Sequence, residues 1–171
     1  MKKVLALALA SAMALGLAGC GGSGGGSADV AENGYNNLTL RLSYATGDTG
    51  MDGIAAIEFE RLVEEKSDGV VQIERYPNCQ LSGGGMVRHV EMMISGGAFE
   101  LAIISENSFA DVDQTFQVTS IPFAFANYEE AYEYADSTGG EFSKNLLADY
   151  GVVRLDCFSN GIMQFANNKR E

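Results

Sequence analysis

Hydrophobic positions between residues 38 and 104 switch between a period of two and helical spacing, which predicts strands and helices in alternation. The period is two in residues 38–44 and 70–76, and residues 99–104 form a short apolar run of strand length. Apolar positions in residues 86–94 recur at helical spacing. An earlier helical face carries Ile54, Ala55, Phe59, Leu62 and Val63. Because strands joined by helices form parallel crossovers, the pattern predicts an α/β fold, with a mainly parallel sheet flanked by helices.

Polar residues on these two predicted helices are expected to face solvent. In the second helix Arg88, His89 and Glu91 fall opposite the apolar face, and in the first helix Asp52 does so. His89 is the single histidine, and no cysteine or second histidine lies at the spacing of a zinc site. The sequence therefore predicts a solvated histidine, no metal and no cofactor.

Two further helices are indicated in the second half of the chain. Asn127 and Thr138 each precede a glutamate by three residues, as helix-capping residues do, and Gly151 is expected to close the second of these helices. Residues 152–158 are expected to form another strand. Aromatic residues at helical spacing are expected in the core: Tyr128, Tyr132, Phe142 and Tyr150.

Polar side chains stand where the first and third predicted strands end. Ser43 and Tyr44 end the first strand, and Ser105, Glu106 and Asn107 follow the third. Ligands of open α/β sheets bind at the carboxyl ends of the strands, so these residues are candidates for one side of a ligand cleft. Simple exposure in loops would explain polar residues at these positions equally well.

The net charge argues against one class of partner. The chain has 11 basic and 23 acidic residues, a net charge of −12, which disfavours nucleic acid because phosphates are bound by basic surfaces. A small anionic ligand is not excluded. Groups inside a cleft decide its affinity, whereas charges beyond a Debye length of roughly 8 Å are screened.

The N-terminus has the pattern of an export signal. Two lysines precede an apolar stretch, residues 4–17, that is too short and too rich in alanine for a membrane span. Residues 17–20 resemble the bacterial lipoprotein cleavage box, which implies removal of residues 1–19 and attachment of lipid to Cys20. Residues 20–37 would then be a flexible tether that holds the protein outside the cytoplasm. An ordinary secreted protein with a cysteine at this place is the alternative.

Three segments resemble one known family in their order and spacing. They are Tyr-Pro-Asn-x-Gln-Leu at residues 76–81, Gly97-x-x-Glu100-x-Ala102, and Ile121-Pro122-Phe123-x-Phe125-x-x-Tyr128-Glu129-x-Ala131. From about residue 38 onward the chain resembles the solute-binding proteins of TRAP transporters, the DctP type. The resemblance implies a two-lobed, periplasmic-binding-protein-like (type II-like) fold. It also implies a protein without enzymatic activity, which captures a small organic acid outside the membrane and delivers it to a sodium-coupled permease.

The same resemblance implies a division of the chain. Residues 38–160 would form the first lobe, and residues 161–171 would begin the crossover into a second lobe, with a hinge near residues 159–162. A family member continues beyond this point for about as many residues again. The chain is therefore expected to be a fragment or the product of an interrupted reading frame.

Met163 departs from the family pattern. The usual crossover segment has the order Asn-Gly-x-Arg-Gln, and Met163 occupies the position of the arginine that grips a carboxylate ligand. Two explanations are open: a second arginine beyond Glu171, or a ligand that binds through apolar or hydroxyl groups. Met163 as an ordinary core residue is the third possibility.

Other functions are weighed beside transport. A membrane-anchored surface sensor or adhesion module could use the same lobe without a permease, and an anchored hydrolase would need catalytic residues in the missing half. Cys79 has no recognisable base to act as a nucleophile. Cys79 and Cys157 are expected to be unpaired and partly buried.

Overall fold

A three-stranded parallel sheet organises the part of the chain that the computed structural model describes, which is residues 34–159 and residue 161. Its strands are β1 (Leu38–Tyr44), β2 (Val71–Tyr76) and β3 (Leu101–Ile103). The strand order is β2-β1-β3, and β1 pairs with both neighbours in parallel. The predicted α/β fold with a parallel sheet flanked by helices is confirmed.

Four α-helices lie within the described residues: α1 (Met51–Lys66), α2 (Met86–Ser95), α3 (Tyr128–Ala135) and α4 (Thr138–Ala148). Short 3-10 segments span Gln80–Ser82, Glu106–Asp111 and Gln114–Ser120. α1 connects β1 to β2, and α2 connects β2 to β3, as the crossover pattern predicts. Among the described helices none combines the length and the apolar character that a membrane crossing requires.

The first core cluster lies between α1 and the sheet. Leu42 and Tyr44 of β1, Ile73 of β2 and Ala56 of α1 are all buried. The face that α1 buries differs from the predicted one, however. Ile54 and Asp52 exchange their expected places, because Ile54 is 55% exposed and Asp52 only 6%.

Gly53 gives the physical reason for this rotation of α1. A Cβ at Gly53 would lie 2.4 Å from the carbonyl oxygen of Gly47 and 2.5 Å from Cα of Asp48. α1 therefore turns its glycine side toward the loop that follows β1. Asp52 and Ala56 share the buried side of the helix with Gly53, and Ile54 lies outside it.

The second core cluster joins α2, the 3-10 segments and α4. Val90, Phe109, Phe116 and Leu147 are buried there. The rings of Phe109 and Phe116 have centroids 5.1 Å apart, and the Tyr150 ring lies 6.1 Å from that of Phe116. This cluster fixes the segment after β3 against α4.

The Glu100 side chain ties the start of β3 to β1. Its Oε1 lies 2.5 Å from Nη2 of Arg41, and its Oε2 accepts a hydrogen bond of 2.8 Å from the Arg41 backbone N–H. The Arg41 guanidinium also donates to the Gly97 carbonyl at 3.2 Å. The hydrogen bonds from Arg41 hold the pKa of the Glu100 carboxyl below its usual range. The spacing of Gly97 and Glu100 thus has a structural role in the sheet.

The chain after α4 departs from the predicted strand. Residues 152–158 have no strand pairing within the described part of the chain, and Val153 and Leu155 are 78% and 71% exposed. A strand needs a neighbour for its backbone hydrogen bonds. The described residues supply no neighbour here, so the local apolar pattern alone does not produce a strand.

Of the two predicted helix caps, one is confirmed and the other is wrong. The Asn127 cap is confirmed: its Oδ1 accepts from the backbone N–H of Glu130 at 2.9 Å, and Glu130 accepts from that of Ala126 at 2.8 Å. Thr138 is not a cap, because α4 begins at this residue and Ser137 precedes it without a side-chain capping bond.

The predicted aromatic core is wrong for most of its members. Tyr128, Tyr132 and Phe142 are between 46% and 48% exposed, and Tyr150 alone among the predicted four joins the second cluster. α3 is short and contributes no buried residue. Its aromatic spacing therefore stacks Tyr128 on Tyr132 along the surface, with centroids 6.4 Å apart.

Both described cysteines are free, as predicted. Cys79 is buried, whereas Cys157 is exposed rather than partly buried. Cys79 lies at the turn after β2, where its backbone N–H donates to the Tyr44 carbonyl at 2.9 Å. Burial raises the pKa of the Cys79 thiol.

Candidate functional site

The register of the sheet brings the ends of β1 and β3 together. Ser43 lies opposite Ala102 and Tyr44 opposite Ile103. The loop after β1 is held in place from β2, since the Asn78 backbone N–H donates to the Thr46 carbonyl at 3.1 Å. The carboxyl edge of the sheet is therefore continuous from β2 to β3, as expected for a binding site of an α/β fold.

A cleft of about 1260 Å³ opens beside the end of β3. Its walls come from residues 99–107, residues 119–125, the two helices α3 and α4, and residues 151–159. Ser105, Glu106 and Asn107 all line it. The side chains of Ser105 and Asn107 are exposed and that of Glu106 is half-buried. These three candidates thus lie where a solute could reach them.

Ser43 and Tyr44 are placed differently. Both are fully buried, and neither lines the cleft. β1 is the central strand of the sheet, so packing covers both of its faces and turns these side chains into the interior. Their contact with a ligand stays a prediction, and it gains no support from this geometry.

Tyr44 instead anchors a charged network under the loop after β1. Its hydroxyl donates to Oδ1 of Asp48 at 2.5 Å, and Nη1 of Arg75 lies 3.2 Å from the hydroxyl and 3.0 Å from the same carboxylate oxygen. Arg75 also donates to Glu60 of α1. The Tyr44 hydrogen bond lowers the pKa of Asp48, and burial raises the pKa of Tyr44. The network fixes the loop at the carboxyl edge of the sheet.

His89 is a correction to the sequence analysis. The expected solvated histidine is fully buried, and its ring stacks on Phe99 with centroids 4.7 Å apart. Nδ1 lies 3.5 Å from Oγ of Ser43, and Nε2 has no hydrogen-bond partner among the described residues. Burial lowers the pKa of His89. His89 stands three residues after Met86 and next to Val90, and this spacing is the sequence signal for its burial. A strict division into polar and apolar residues conceals that signal.

Glu106 is held in place from α4. Oγ of Ser143 donates to its Oε1 at 2.5 Å, and Ser143 itself is buried. This bond joins two walls of the cleft, the 3-10 segment after β3 and α4. One carboxylate oxygen of Glu106 is thereby oriented before any ligand binds.

Arg154 is a cleft residue that the sequence analysis missed. It lines the cleft, is half-buried, and donates from Nη1 to the Gly140 carbonyl at 2.9 Å. In the sequence analysis this residue is included in the predicted strand 152–158. A lone arginine within an apolar run was the signal that could have found it.

The remaining candidates lie outside the described residues. These are Cys20, the predicted lipid attachment site, and Met163, which the sequence analysis predicts at the place of an arginine. Within residues 34–159, no three histidine, cysteine or acidic side chains lie close enough together to hold a metal ion.

Comparison with known proteins gives the family context of this cleft. The model of bacterial extracellular solute-binding protein, family 7 (DctP), matches residues 42–171. The C4-dicarboxylate-binding periplasmic protein DctP of Vibrio cholerae is 28% identical over 133 residues, which are 77% of this chain and 39% of that protein.

Solved structures agree with this match. The sugar acid binding protein DctPAm from Advenella mimigardefordensis, in complex with galactonate, has a TM-score of 0.63 and 26% identity, covering 69% of this chain and 37% of its own. A TRAP periplasmic solute binding protein from Sulfurospirillum deleyianum with bound succinate has a TM-score of 0.64 at 24% identity, covering 70% and 38%, and shows the shared fold. The chain spans about two fifths of the length of these relatives.

Proposed function

Because the chain belongs to the bacterial extracellular solute-binding protein family 7, the DctP family, we propose that it binds a small organic acid outside the cytoplasm and delivers it to a TRAP-type membrane permease. The observation that carries the proposal is the family match over residues 42–171. This range includes all the residues that line the cleft. Relatives that bind C4-dicarboxylates, galactonate or succinate support the choice of ligand class.

The cleft offers suitable chemistry for such a ligand. Ser105 and Asn107 present a hydroxyl and an amide at the end of β3, and both groups donate hydrogen bonds to carboxylate or hydroxyl oxygens. Glu106, oriented by Ser143, can accept from a ligand hydroxyl. A volume of about 1260 Å³ is larger than the roughly 300–1,000 Å³ of most small-molecule pockets. A second wall would narrow it around a small solute.

That wall is the second lobe of the two-lobed architecture. In this proposal residues 38–160 form the first lobe, residues 161–171 begin the crossover, and the hinge lies near residues 159–162. The greater length of the relatives supports this division. Ligand in the cleft would contact both lobes only when they close, and therefore stabilises the closed form that the permease recognises.

Attachment to the membrane is a separate part of the proposal. Removal of residues 1–19 would leave Cys20 as a lipidated N-terminus, with residues 20–37 as the tether. More than one acyl chain is needed for stable anchoring, since a single chain binds a bilayer only marginally. Substitution Cys20→Ala should release the protein from membranes and abolish incorporation of radiolabelled palmitate. Unchanged membrane retention and labelling in this variant would contradict lipidation at Cys20.

Ligand binding can be tested with purified protein of the full length that its gene encodes. Thermal melts with succinate, malate, galactonate and neutral sugars should show a rise in Tm with an acid, because a ligand that binds the native state alone stabilises it by mass action. Ser105→Ala and Asn107→Ala should weaken this rise, whereas Ser95→Ala at the end of α2, outside the cleft lining, should not. A rise with neutral sugars alone would contradict the organic-acid assignment.

A further inference from the structure

We propose that Arg154 binds the carboxylate of the ligand through its guanidinium. The inference rests on the proposed organic-acid function and adds the residue that selects for it. Arg154 lies nine positions before Met163 in the sequence, and it reaches the cleft from the segment that follows α4.

The charges around the cleft make Arg154 the natural partner of an anion. Within the described part of the chain, Arg154 is the only cationic side chain that lines the cleft. The lining also includes acidic residues: Asp52, Glu100, Glu106, Asp136 and Asp156. Glu100 is already paired with Arg41, whereas the other carboxylates oppose an anionic ligand, and Arg154 supplies the opposite charge from this side.

Arg154 is also available for a ligand. Three other arginines, Arg41, Arg61 and Arg75, each form an ion pair with a carboxylate. Arg154 has no ion pair with any described residue, and its one hydrogen bond is from Nη1 to the Gly140 carbonyl. A guanidinium carries five N–H donors, so the contacts of Arg154 with the described residues leave most of its donors for a carboxylate.

The Gly140 carbonyl fixes where the guanidinium points. A Cβ at Gly140 would lie 1.9 Å from the carbonyl oxygen of Ala135 and 3.6 Å from Nη1 of Arg154. The absence of a side chain at residue 140 therefore permits the close packing of α4 on the end of α3, beside the arginine. A guanidinium held through one nitrogen keeps its planar fork for two parallel hydrogen bonds to a carboxylate.

Calorimetric titration of the protein, at the full length its gene encodes, tests the inference. Succinate and galactonate are the anionic probes, and succinamide is the neutral counterpart of succinate. Arg154→Gln should reduce affinity for the acids by about tenfold to a hundredfold, the effect of losing a charge-assisted hydrogen bond. Arg154→Lys should recover part of the loss, since it keeps the charge without the fork.

Arg61→Gln is the matched control, because Arg61 is an exposed arginine of α1 paired with Glu58 and Glu65 outside the cleft. It should bind the acids as the unaltered protein does. Wild-type affinity for the acids in Arg154→Gln would overturn the role of Arg154 and leave the organic-acid function standing. If the unaltered protein binds neither acid nor any other carboxylate, the proposed function itself fails, and the inference fails with it.

A second measurement covers the case in which Arg154→Gln does not fold. In the unaltered protein, the NMR signal of the Arg154 side-chain Nε–H should shift on titration with succinate and remain in place with succinamide. A signal that does not respond to a saturating acid would overturn the proposal, whatever the variant does.

Discussion

Acidification from pH 7 to pH 5 is expected to destabilise the native protein through His89. The ring is fully buried against Phe99, and its Nε2 has no partner among the described residues that could accept a hydrogen bond from a protonated ring. Burial lowers the pKa of His89 in the folded state, from a usual value of 6.5. The unfolded chain therefore binds a proton at a pH where the folded chain does not.

The sign and size of the effect follow from this difference. Stability contributed by the neutral ring is complete above the unfolded pKa and is lost as pH falls below it, until the folded pKa is reached. The limiting slope is about 1.4 kcal/mol per pH unit for one proton. Between pH 6.5 and pH 5 the free energy of unfolding should therefore fall by up to about 2 kcal/mol.

Urea unfolding at several pH values, followed by circular dichroism, measures this loss. Other groups also contribute on acidification, since the pKa values of Asp48 and Glu100 are lowered in the folded state and their stabilisation is lost at lower pH. The variant His89→Gln keeps those carboxylates and removes the titrating ring. Its free energy of unfolding should fall less steeply between pH 7 and pH 5 than that of the unaltered protein. Parallel curves for the two proteins would refute the argument that burial keeps His89 neutral.

Three further predictions concern packing and the loop after β1. Tyr44→Phe should lower the free energy of unfolding by about 1 kcal/mol. It should also raise the pKa of Asp48 toward its usual range, which carboxyl NMR titration measures. An unchanged Asp48 pKa would contradict the Tyr44 hydrogen bond. Gly53→Ala should destabilise by about 1–3 kcal/mol through overpacking, whereas a gain in Tm would show that α1 does not approach Gly47. Phe116→Ala should cost about 3–5 kcal/mol, with little change for Val153→Ala, an exposed residue; equal losses would contradict the second core cluster.

The parallel sheet was predictable because its evidence is local. β1 and β2 have alternating side chains, and the helix between each pair of strands has enough length for a crossover. The rotation of α1 was not predictable in the same way. It depends on Gly53 meeting the backbone of Gly47 after the chain has folded, and a hydrophobic pattern contains no term for such a contact.

Strand pairing explains the failure in the second half of the chain. Residues 152–158 have the apolar pattern of a strand, but a strand is stabilised by its neighbour, and none is present among the described residues. The same dependence on neighbours hid Arg154. In the sequence analysis the arginine is included in the predicted strand and has no role, whereas in the fold it lines the cleft.

Whether a candidate site residue reaches the cleft also depends on the neighbours of its strand. Ser105, Glu106 and Asn107 follow the short edge strand β3, where the chain leaves the sheet and its side chains can reach the cleft. Ser43 and Tyr44 end the central strand, whose side chains are enclosed by α1 on one side and His89 on the other. The rule that ligands bind at the carboxyl ends of strands locates an edge of the sheet. Which strand contributes side chains to that edge depends on the strand order, and the hydrophobic pattern does not indicate that β1 lies between β2 and β3.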